Sequence, residues 1–136
     1  MFKNINPNIS VAGQISTTDV EAAAAAGFKA IICNRPDGED EGQPPAEEIK
    51  QAALTAGMEF HYLPFTPGQL SHTLVNAFTT ILQSAPSPVL AYCRSGTRSC
   101  TLWALGQAGA MPAEDILQSA ANAGYDLSGI AAQLQR

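Results

Sequence analysis

The stretch VLAYCRSGTRS, residues 89–99, runs from an apolar segment into a cysteine, a glycine and two arginines, and it locates the candidate chemistry. Four apolar residues lead into Cys93, and one glycine and two arginines follow within five positions. This pattern is typical of a strand that enters a loop and continues into a helix. In such a loop several backbone amides can turn inward, and the helix dipole adds positive potential. The stretch therefore predicts an oxyanion site with Cys93 as its nucleophile.

The residue types in the loop fit that chemistry. Gly96 permits a backbone turn that a side chain would obstruct. Arg94 and Arg98 supply positive charge, and a guanidinium can hold two oxygens of one anion. The same field favours the thiolate form of Cys93, which is the form that attacks. A structural cysteine beside a turn, the alternative, would need neither the arginines nor the glycine. We predict Cys93 and Arg98 as catalytic. The predicted oxyanion-binding residues are Arg94, Ser95, Gly96, Thr97 and Ser99.

The rest of the chain alternates between short apolar runs and stretches of helical spacing. Strands are predicted over residues 9–13, 28–33, 58–65 and 88–92. Helices are predicted over residues 16–27, 46–57, 71–85, 101–109, 112–124 and 126–135. In the first helix, Thr18 and Glu21 have the spacing of a capping box. Strands separated by helices favour a mainly parallel sheet, so the predicted fold is α/β, flanked by helices and extended by C-terminal helices.

Length and composition exclude several classes of function. The 136 residues, 46% apolar and 14% charged, suit one domain with a packed core, residues 1–136. A net charge of −5 argues against nucleic acid as a partner. No stretch has the length of a membrane span, and the N-terminus lacks the apolar run of a signal peptide. Three cysteines without such a leader favour the cytoplasm. The cysteines and two histidines lack metal-ligand spacing, so we expect no metal and no cofactor.

Four motifs together carry a family resemblance. ISVAGQIS, NRPDGE, YLPF and VLAYCRSGTRS, all between residues 9 and 99, resemble the phosphatase-like domain of the beta-lactamase hydrolase-like proteins. The resemblance implies a fold like that of dual-specificity phosphatases, and members of the family have been called both phosphatases and sulfur transferases. Because relatives occur fused to metallo-beta-lactamase-like domains, it also implies such a partner, or a thiol that accepts sulfur.

The spacing in the loop separates the two chemistries. Cysteine-dependent phosphatases carry Cys, five residues and then Arg, commonly with His before the cysteine. Here only four residues separate Cys93 from Arg98, and Tyr92 precedes the cysteine. YCRSGTRS instead resembles the active-site loop of single-domain rhodaneses, whose cysteine carries a persulfide. The shorter loop therefore favours transfer of a sulfur atom.

A missing acid points the same way. Dual-specificity phosphatases place an aspartate after the strand that precedes the long helix, but YLPFTPGQLSH, residues 62–72, has no carboxylate. Substitute acids are Asp37, Glu39 and His72, with a solvated mobile loop as the alternative for the two carboxylates. Sulfur transfer needs no acid, because sulfite leaves thiosulfate as a stable anion.

The sequence thus ranks three functions. The first is a sulfurtransferase that takes sulfur from thiosulfate or a persulfide through a Cys93 persulfide. The second is a phosphatase that hydrolyses a phosphoester through a Cys93 phosphocysteine. The third is an anion-sensing module without catalysis. The expected partner is a small anionic substrate in each case.

Accessory roles are predicted where the strands end. Cys33 ends a predicted strand and is a candidate resolving cysteine for Cys93, with a small buried hydrophobe as the alternative. Arg35 could reach an anionic substrate, or could tie the loop together through Asp37 or Glu39. Asp37 is also a residue that shapes turns.

Overall fold

Five short strands form one sheet in the computed structural model, which describes residues 1–135. The strands are β1 (Lys3–Asn6), β2 (Ile9–Ala12), β3 (Ala30–Cys33), β4 (Glu59–Tyr62) and β5 (Val89–Tyr92). Their order is β1-β2-β5-β3-β4, and every pairing except that of β1 with β2 is parallel. The predicted α/β fold with a mainly parallel sheet is confirmed.

Helices cover both faces of this sheet. They are α1 (Thr17–Ala25), α2 (Ala46–Thr55), α3 (His72–Ser84), α4 (Thr97–Gln107), α5 (Ala113–Asn122) and α6 (Ala131–Leu134), with a short 3₁₀ turn at Ser128–Ile130. The first two helices pack on one face, and the other four pack on the opposite face. Along β5, Leu90 and Tyr92 join the layer of α1 and α2, whereas Val89 and Ala91 join the other layer. No helix within residues 1–135 is both long enough and apolar enough to cross a membrane.

The parallel register brings the strand ends to one level. Ala12 and Cys33 both pair with Tyr92, and Tyr62 pairs with Cys33. The loops that follow β2, β3 and β5 therefore meet at one edge of the sheet, which is where parallel sheets bind ligands. Cys93, the residue after β5, lies at this edge.

Several elements differ from the prediction: the helix predicted over residues 126–135 is a 3₁₀ turn at Ser128–Ile130 followed by the short α6, and the strand predicted over residues 58–65 is confined to Glu59–Tyr62. The sequence does not predict β1, because KNIN is polar and only Ile5 in it is buried, as suits an edge strand. α4 begins at Thr97, before the predicted residue 101, because Gly96 at its N-cap adopts the left-handed conformation that lets the loop turn directly into the helix.

The predicted capping box of α1 is wrong, because the box that forms lies two residues earlier in the chain. Ser16, not Thr18, caps the helix: its Oγ accepts the Asp19 N–H at 3.1 Å, and Asp19 Oδ2 accepts the Ser16 N–H at 2.8 Å. Both residue pairs have the required spacing. The pair nearer to β2 forms the box because the helix begins at Thr17.

Candidate active site

The Cys93 thiol lies inside the loop between β5 and α4. Its side chain is fully buried, and Sγ accepts the backbone N–H of Gly96 at 3.1 Å. The Cys93 N–H donates to the carbonyl of Ala12, the last residue of β2, at 3.3 Å. Both the backbone and the sulfur of the predicted nucleophile are therefore fixed by neighbouring backbone groups.

Two neighbouring segments hold the carbonyls of the loop on its outer side. The Arg94 carbonyl accepts the Gln14 N–H at 3.2 Å, and the Ser95 carbonyl accepts the Tyr125 hydroxyl at 2.9 Å. A trans peptide is planar and directs its C=O and N–H in opposite directions. The N–H groups of Ser95 and Gly96 therefore point away from these partners, and that of Gly96 reaches Cys93. This is a local array of donors of the kind that holds an anion.

Two glycines allow this close packing. Gly96 has φ +96°, and a Cβ there would overlap the Tyr125 hydroxyl. A Cβ at Gly13 would lie 2.9 Å from the Arg94 carbonyl oxygen, closer than such contacts normally come. A side chain at Gly13 would therefore displace the loop, whereas one at Gly96 would displace Tyr125 and strain the backbone.

Glu39 holds one end of the Arg98 guanidinium. Arg98 Nη1 donates to Glu39 Oε2 and to the Phe65 carbonyl, and Nη2 donates to Glu39 Oε1, all at 2.8 Å. The hydrogen bond from Arg98 lowers the pKa of the Glu39 carboxyl and raises the pKa of Arg98. Three of the five N–H groups of the guanidinium are thus engaged by Glu39 and Phe65. The remaining two, on Nε and Nη2, form one edge that can hold two oxygens of an anion.

Cys93 and Arg98 are brought together by this arrangement. After the hydrogen bond to Glu39, the charge of the Cys93 sulfur is a further cause of the raised pKa of Arg98. The two residues predicted as catalytic therefore share one site.

Arg35 organises the acidic loop after β3. Its guanidinium is almost wholly buried and donates to Glu39 Oε1 at 3.0 Å, to Gln14 Oε1 at 3.0 Å and to Asp40 Oδ2 at 2.7 Å. The sequence predicts that Arg35 either reaches a substrate or ties the loop together. In the structure it ties the loop together, through Glu39 and Asp40 and not through Asp37. The loop is therefore anchored on the cysteine loop and is not a freely solvated segment at Glu39.

Two further carboxylates of this loop, those of Asp37 and Asp40, are also engaged. Asp37 Oδ1 accepts the Ala46 N–H at 2.7 Å and so caps the start of α2. Asp40 Oδ2, besides its bond to Arg35, lies 3.6 Å from Arg94 Nε. Sequence reasoning missed Asp40, because nothing in the local pattern distinguishes it from its acidic neighbours.

Three of the predicted oxyanion-binding residues carry hydroxyls, and all three hydroxyls have protein partners. Ser99 is fully buried and donates to Asn34 Oδ1 at 2.8 Å, while Asn34 Nδ2 donates to the Leu63 carbonyl at 2.8 Å. Ser95 and Thr97 are joined through their hydroxyls at 3.1 Å. Because the Ser99 hydroxyl ties α4 to the end of β3, Ser99 would bind an anion through its backbone N–H.

Cys33 lies in a different layer from the loop. It packs with Tyr92 between the sheet and the layer of α1 and α2, and its thiol donates to the Arg35 carbonyl at 3.3 Å. Burial raises the pKa of this thiol, which keeps it protonated. The structure shows no contact that joins its sulfur to that of Cys93, and the resolving role stays a prediction.

His72 lies apart from the loop. It is the exposed first residue of α3 and lines a cavity of about 250 Å³ together with Val75 and Leu105. Leu105 is eight residues along α4 from Thr97, or about 12 Å along the helix axis. The structure therefore does not bring His72 to Cys93.

Known proteins match this chain over most of its length. Residues 1–110 match the model of the family described as "Beta-lactamase hydrolase-like protein, phosphatase-like domain". A beta-lactamase hydrolase-like protein of Agrobacterium fabrum is 37% identical over 134 residues, which cover 97% of this chain and 31% of the relative. A relative from Xylella fastidiosa is 30% identical, over 98% of this chain and 31% of its own length. The chain thus spans about a third of the curated relatives that it matches.

Solved structures extend the comparison. A crystal structure of a phosphatase candidate from Neisseria meningitidis is 37% identical with a TM-score of 0.88, covering 98% of this chain and 95% of that one. The catalytic core of a PP-IP phosphatase from S. cerevisiae has a TM-score of 0.69 at 14% identity, covering 97% of this chain and 81% of that one. The second likeness shows the fold alone, which is that of cysteine-dependent phosphatases.

Proposed function

Because this chain belongs to the family of the phosphatase-like domain of beta-lactamase hydrolase-like proteins, we propose that it is a phosphohydrolase with Cys93 as its nucleophile. This reverses the order of the two enzymatic functions that the sequence favours, since the comparisons support the phosphatase alternative better than sulfur transfer. The observation that carries the proposal is the Cys93 sulfur held by the Gly96 N–H, five positions before an Arg98 whose Nε–Nη2 edge is not used by Glu39 or Phe65.

The proposed reaction has two steps at Cys93. The thiolate attacks phosphorus, the S–P bond forms, and the bond from phosphorus to the leaving oxygen breaks with its electron pair. Water then attacks the phosphocysteine, the S–P bond breaks, and the thiolate is restored while inorganic phosphate leaves with the oxygen of the water. The free edge of Arg98 and the loop amides stabilise the charge on the phosphoryl oxygens in both steps.

The engaged carboxylates support a proposal for the class of substrate. Asp37 is used at the start of α2, Glu39 on Arg98 and Asp40 on Arg35. The hydrogen bond from Arg98 lowers the pKa of Glu39, which makes this carboxylate a poor proton donor to a leaving group. We therefore propose substrates whose leaving group departs as an anion without protonation: acyl phosphates, phosphoanhydrides or aryl phosphates.

Sulfur transfer is the second candidate, favoured by the spacing of four residues between Cys93 and Arg98. In that reaction the thiolate attacks the outer sulfur of thiosulfate, the S–S bond breaks, and sulfite leaves with the electron pair. The Cys93 persulfide then passes its sulfur atom to cyanide or a thiol. This chemistry also needs no general acid, so the engaged carboxylates are compatible with both candidates.

A paired assay on one preparation tests the proposal. It follows hydrolysis of 4-nitrophenyl phosphate and transfer of sulfur from thiosulfate to cyanide. Cys93→Ser is the test variant, and Cys100→Ser, at a buried thiol in the first turn of α4, is the control. We expect phosphate release that requires Cys93 and exceeds thiocyanate formation. Thiocyanate without phosphate release would overturn the proposal in favour of sulfur transfer, and inertness in both assays would favour the anion-sensing module.

A further inference from the structure

Tyr125 touches the peptide that supplies the hydrogen bond to the Cys93 sulfur. Its hydroxyl donates to the Ser95 carbonyl at 2.9 Å, and the N–H of the same peptide, on Gly96, donates to Sγ at 3.1 Å. Because the peptide is planar, the direction of its carbonyl fixes the direction of its N–H. A bond to one end of this unit therefore orients the other end.

The peptide before Gly96 needs such a bond to keep its orientation. Gly96 has φ +96° and stands at the N-cap of α4 without a side chain to hold the turn. A glycine can adopt several backbone conformations at little cost, so the preceding peptide could rotate. Rotation would replace the N–H facing the sulfur with a carbonyl oxygen, which repels a thiolate and an oxyanion alike.

The position of Tyr125 suits a fixed donor. Its N–H donates to the Ala120 carbonyl at 2.9 Å, and the flanking Ala123 and Leu127 are buried in the core. Burial raises the pKa of the Tyr125 hydroxyl, and the charges of Cys100 and Cys93 raise it further. The hydroxyl therefore remains a hydrogen-bond donor at neutral pH.

We propose that Tyr125 is a positioning residue that locks the Ser95–Gly96 peptide with its N–H on the Cys93 sulfur. The lock comes from beyond residues 1–110, the part that the family model matches, so the C-terminal helices belong to the working site. The catalytic consequence rests on the proposed role of Cys93 as nucleophile, whereas the orientation of the peptide does not.

The test compares Tyr125→Phe, which removes only the hydroxyl, with the matched control Tyr62→Phe, which removes a hydroxyl that accepts the Asp37 N–H. The measurements are the chemical shift and hydrogen-exchange rate of the Gly96 amide by NMR, and kcat and KM for 4-nitrophenyl phosphate. In Tyr125→Phe we expect a displaced Gly96 resonance, exchange about two to ten times faster, and kcat lowered by a similar factor with KM little changed. The control should leave all four quantities as in the wild type.

Three results would overturn the proposal: an unmoved Gly96 amide in Tyr125→Phe, equal effects in both variants, or a displaced amide with kcat unchanged. A wild-type protein that hydrolyses no phosphate but shows the expected Gly96 response would overturn the proposed function and leave the peptide lock standing.

Discussion

Replacement of Glu39 by glutamine should impair both stability and catalysis, although the side chains have nearly the same shape. The Glu39 carboxylate accepts two N–H groups of Arg98 at 2.8 Å and one of Arg35 at 3.0 Å. Glutamine keeps one oxygen but turns an NH₂ group towards a guanidinium, so a donor faces a donor. The charge that compensates two arginines is lost as well.

The burial of this cluster sets the size of the effect on stability. Breaking a buried ion pair typically costs about 3–5 kcal/mol, whereas exposed pairs contribute about 0–1 kcal/mol. The Glu39 and Arg98 side chains are 20% and 15% exposed, which places the pair between these cases and nearer the buried one. We expect the free energy of unfolding to fall by about 2–3 kcal/mol in Glu39→Gln.

The same substitution should lower kcat/KM by about 10- to 100-fold, because the free edge of Arg98 is no longer held in place. The assay uses one substrate with a good leaving group and one with a poor leaving group. A positioning role predicts the same loss for both, while a general-acid role for Glu39 predicts a loss confined to the poor one. Glu41→Gln, which makes the same charge change at an exposed position, is the matched control.

The contribution of Glu39 to folding stability should decrease as the pH falls. Hydrogen bonding to Arg98 lowers the pKa of Glu39 in the folded state below its value in the unfolded chain. Its contribution to stability is therefore complete above the unfolded value of about 4.3 and is lost as the pH falls through the lower folded pKa. Urea unfolding should show a gap between wild type and Glu39→Gln at neutral pH that narrows in acid. Equal stability and activity in the Glu39 and Glu41 variants would show that Glu39 neither stabilises the fold nor positions Arg98.

Three further predictions concern the loop and its substrates. Gly13→Ala, whose Cβ would lie 2.9 Å from the Arg94 carbonyl, should lower kcat/KM about tenfold with the circular-dichroism spectrum unchanged; wild-type activity would contradict this. Across a series of phosphate esters, kcat/KM should rise steeply as the leaving group becomes more acidic, and efficient hydrolysis of alkyl phosphates would show that an acid acts after all. Ser99→Ala leaves Asn34 Oδ1 without its buried donor and should destabilise the fold by about 1–3 kcal/mol in urea unfolding, so a change below about 0.5 kcal/mol would count against the tie between α4 and β3.

Local patterns in the sequence were sufficient for most of the fold. The alternation of apolar runs with helical spacing predicts β2, β3, β4 and β5 and their parallel arrangement, because each segment carries its own signal. β1 escapes prediction because its pairing with β2 comes from the neighbouring strand and not from an apolar pattern of its own. At α1, two overlapping pairs have capping-box spacing, and only the tertiary structure selects Ser16 with Asp19.

The site is predictable only where its residues are close in sequence. Cys93 lies in the loop after β5 and Arg98 in the first turn of α4, five positions apart, so one local motif is enough to predict both, although the sequence begins α4 four residues too late. The partners of this loop are distant along the chain: Glu39 for Arg98 and Tyr125 for the Ser95 carbonyl. Such contacts depend on how the strand ends and the C-terminal helices meet, which periodicity and spacing do not encode. The choice between the two chemistries depends on the same surroundings of the loop.

The most direct test of the account is the mass of the Cys93 peptide after rapid mixing and a denaturing quench. The protein is mixed with 4-nitrophenyl phosphate in one experiment and with thiosulfate in another, with Cys93→Ser treated in parallel. If Cys93 is the nucleophile of a phosphohydrolase, the first experiment adds the mass of one phosphoryl group to the Cys93 peptide, at a rate that supports turnover, and Cys93→Ser gains none. Nitrophenol release with Cys93 unmodified, or a Cys93 that gains only a sulfur atom from thiosulfate, would contradict it.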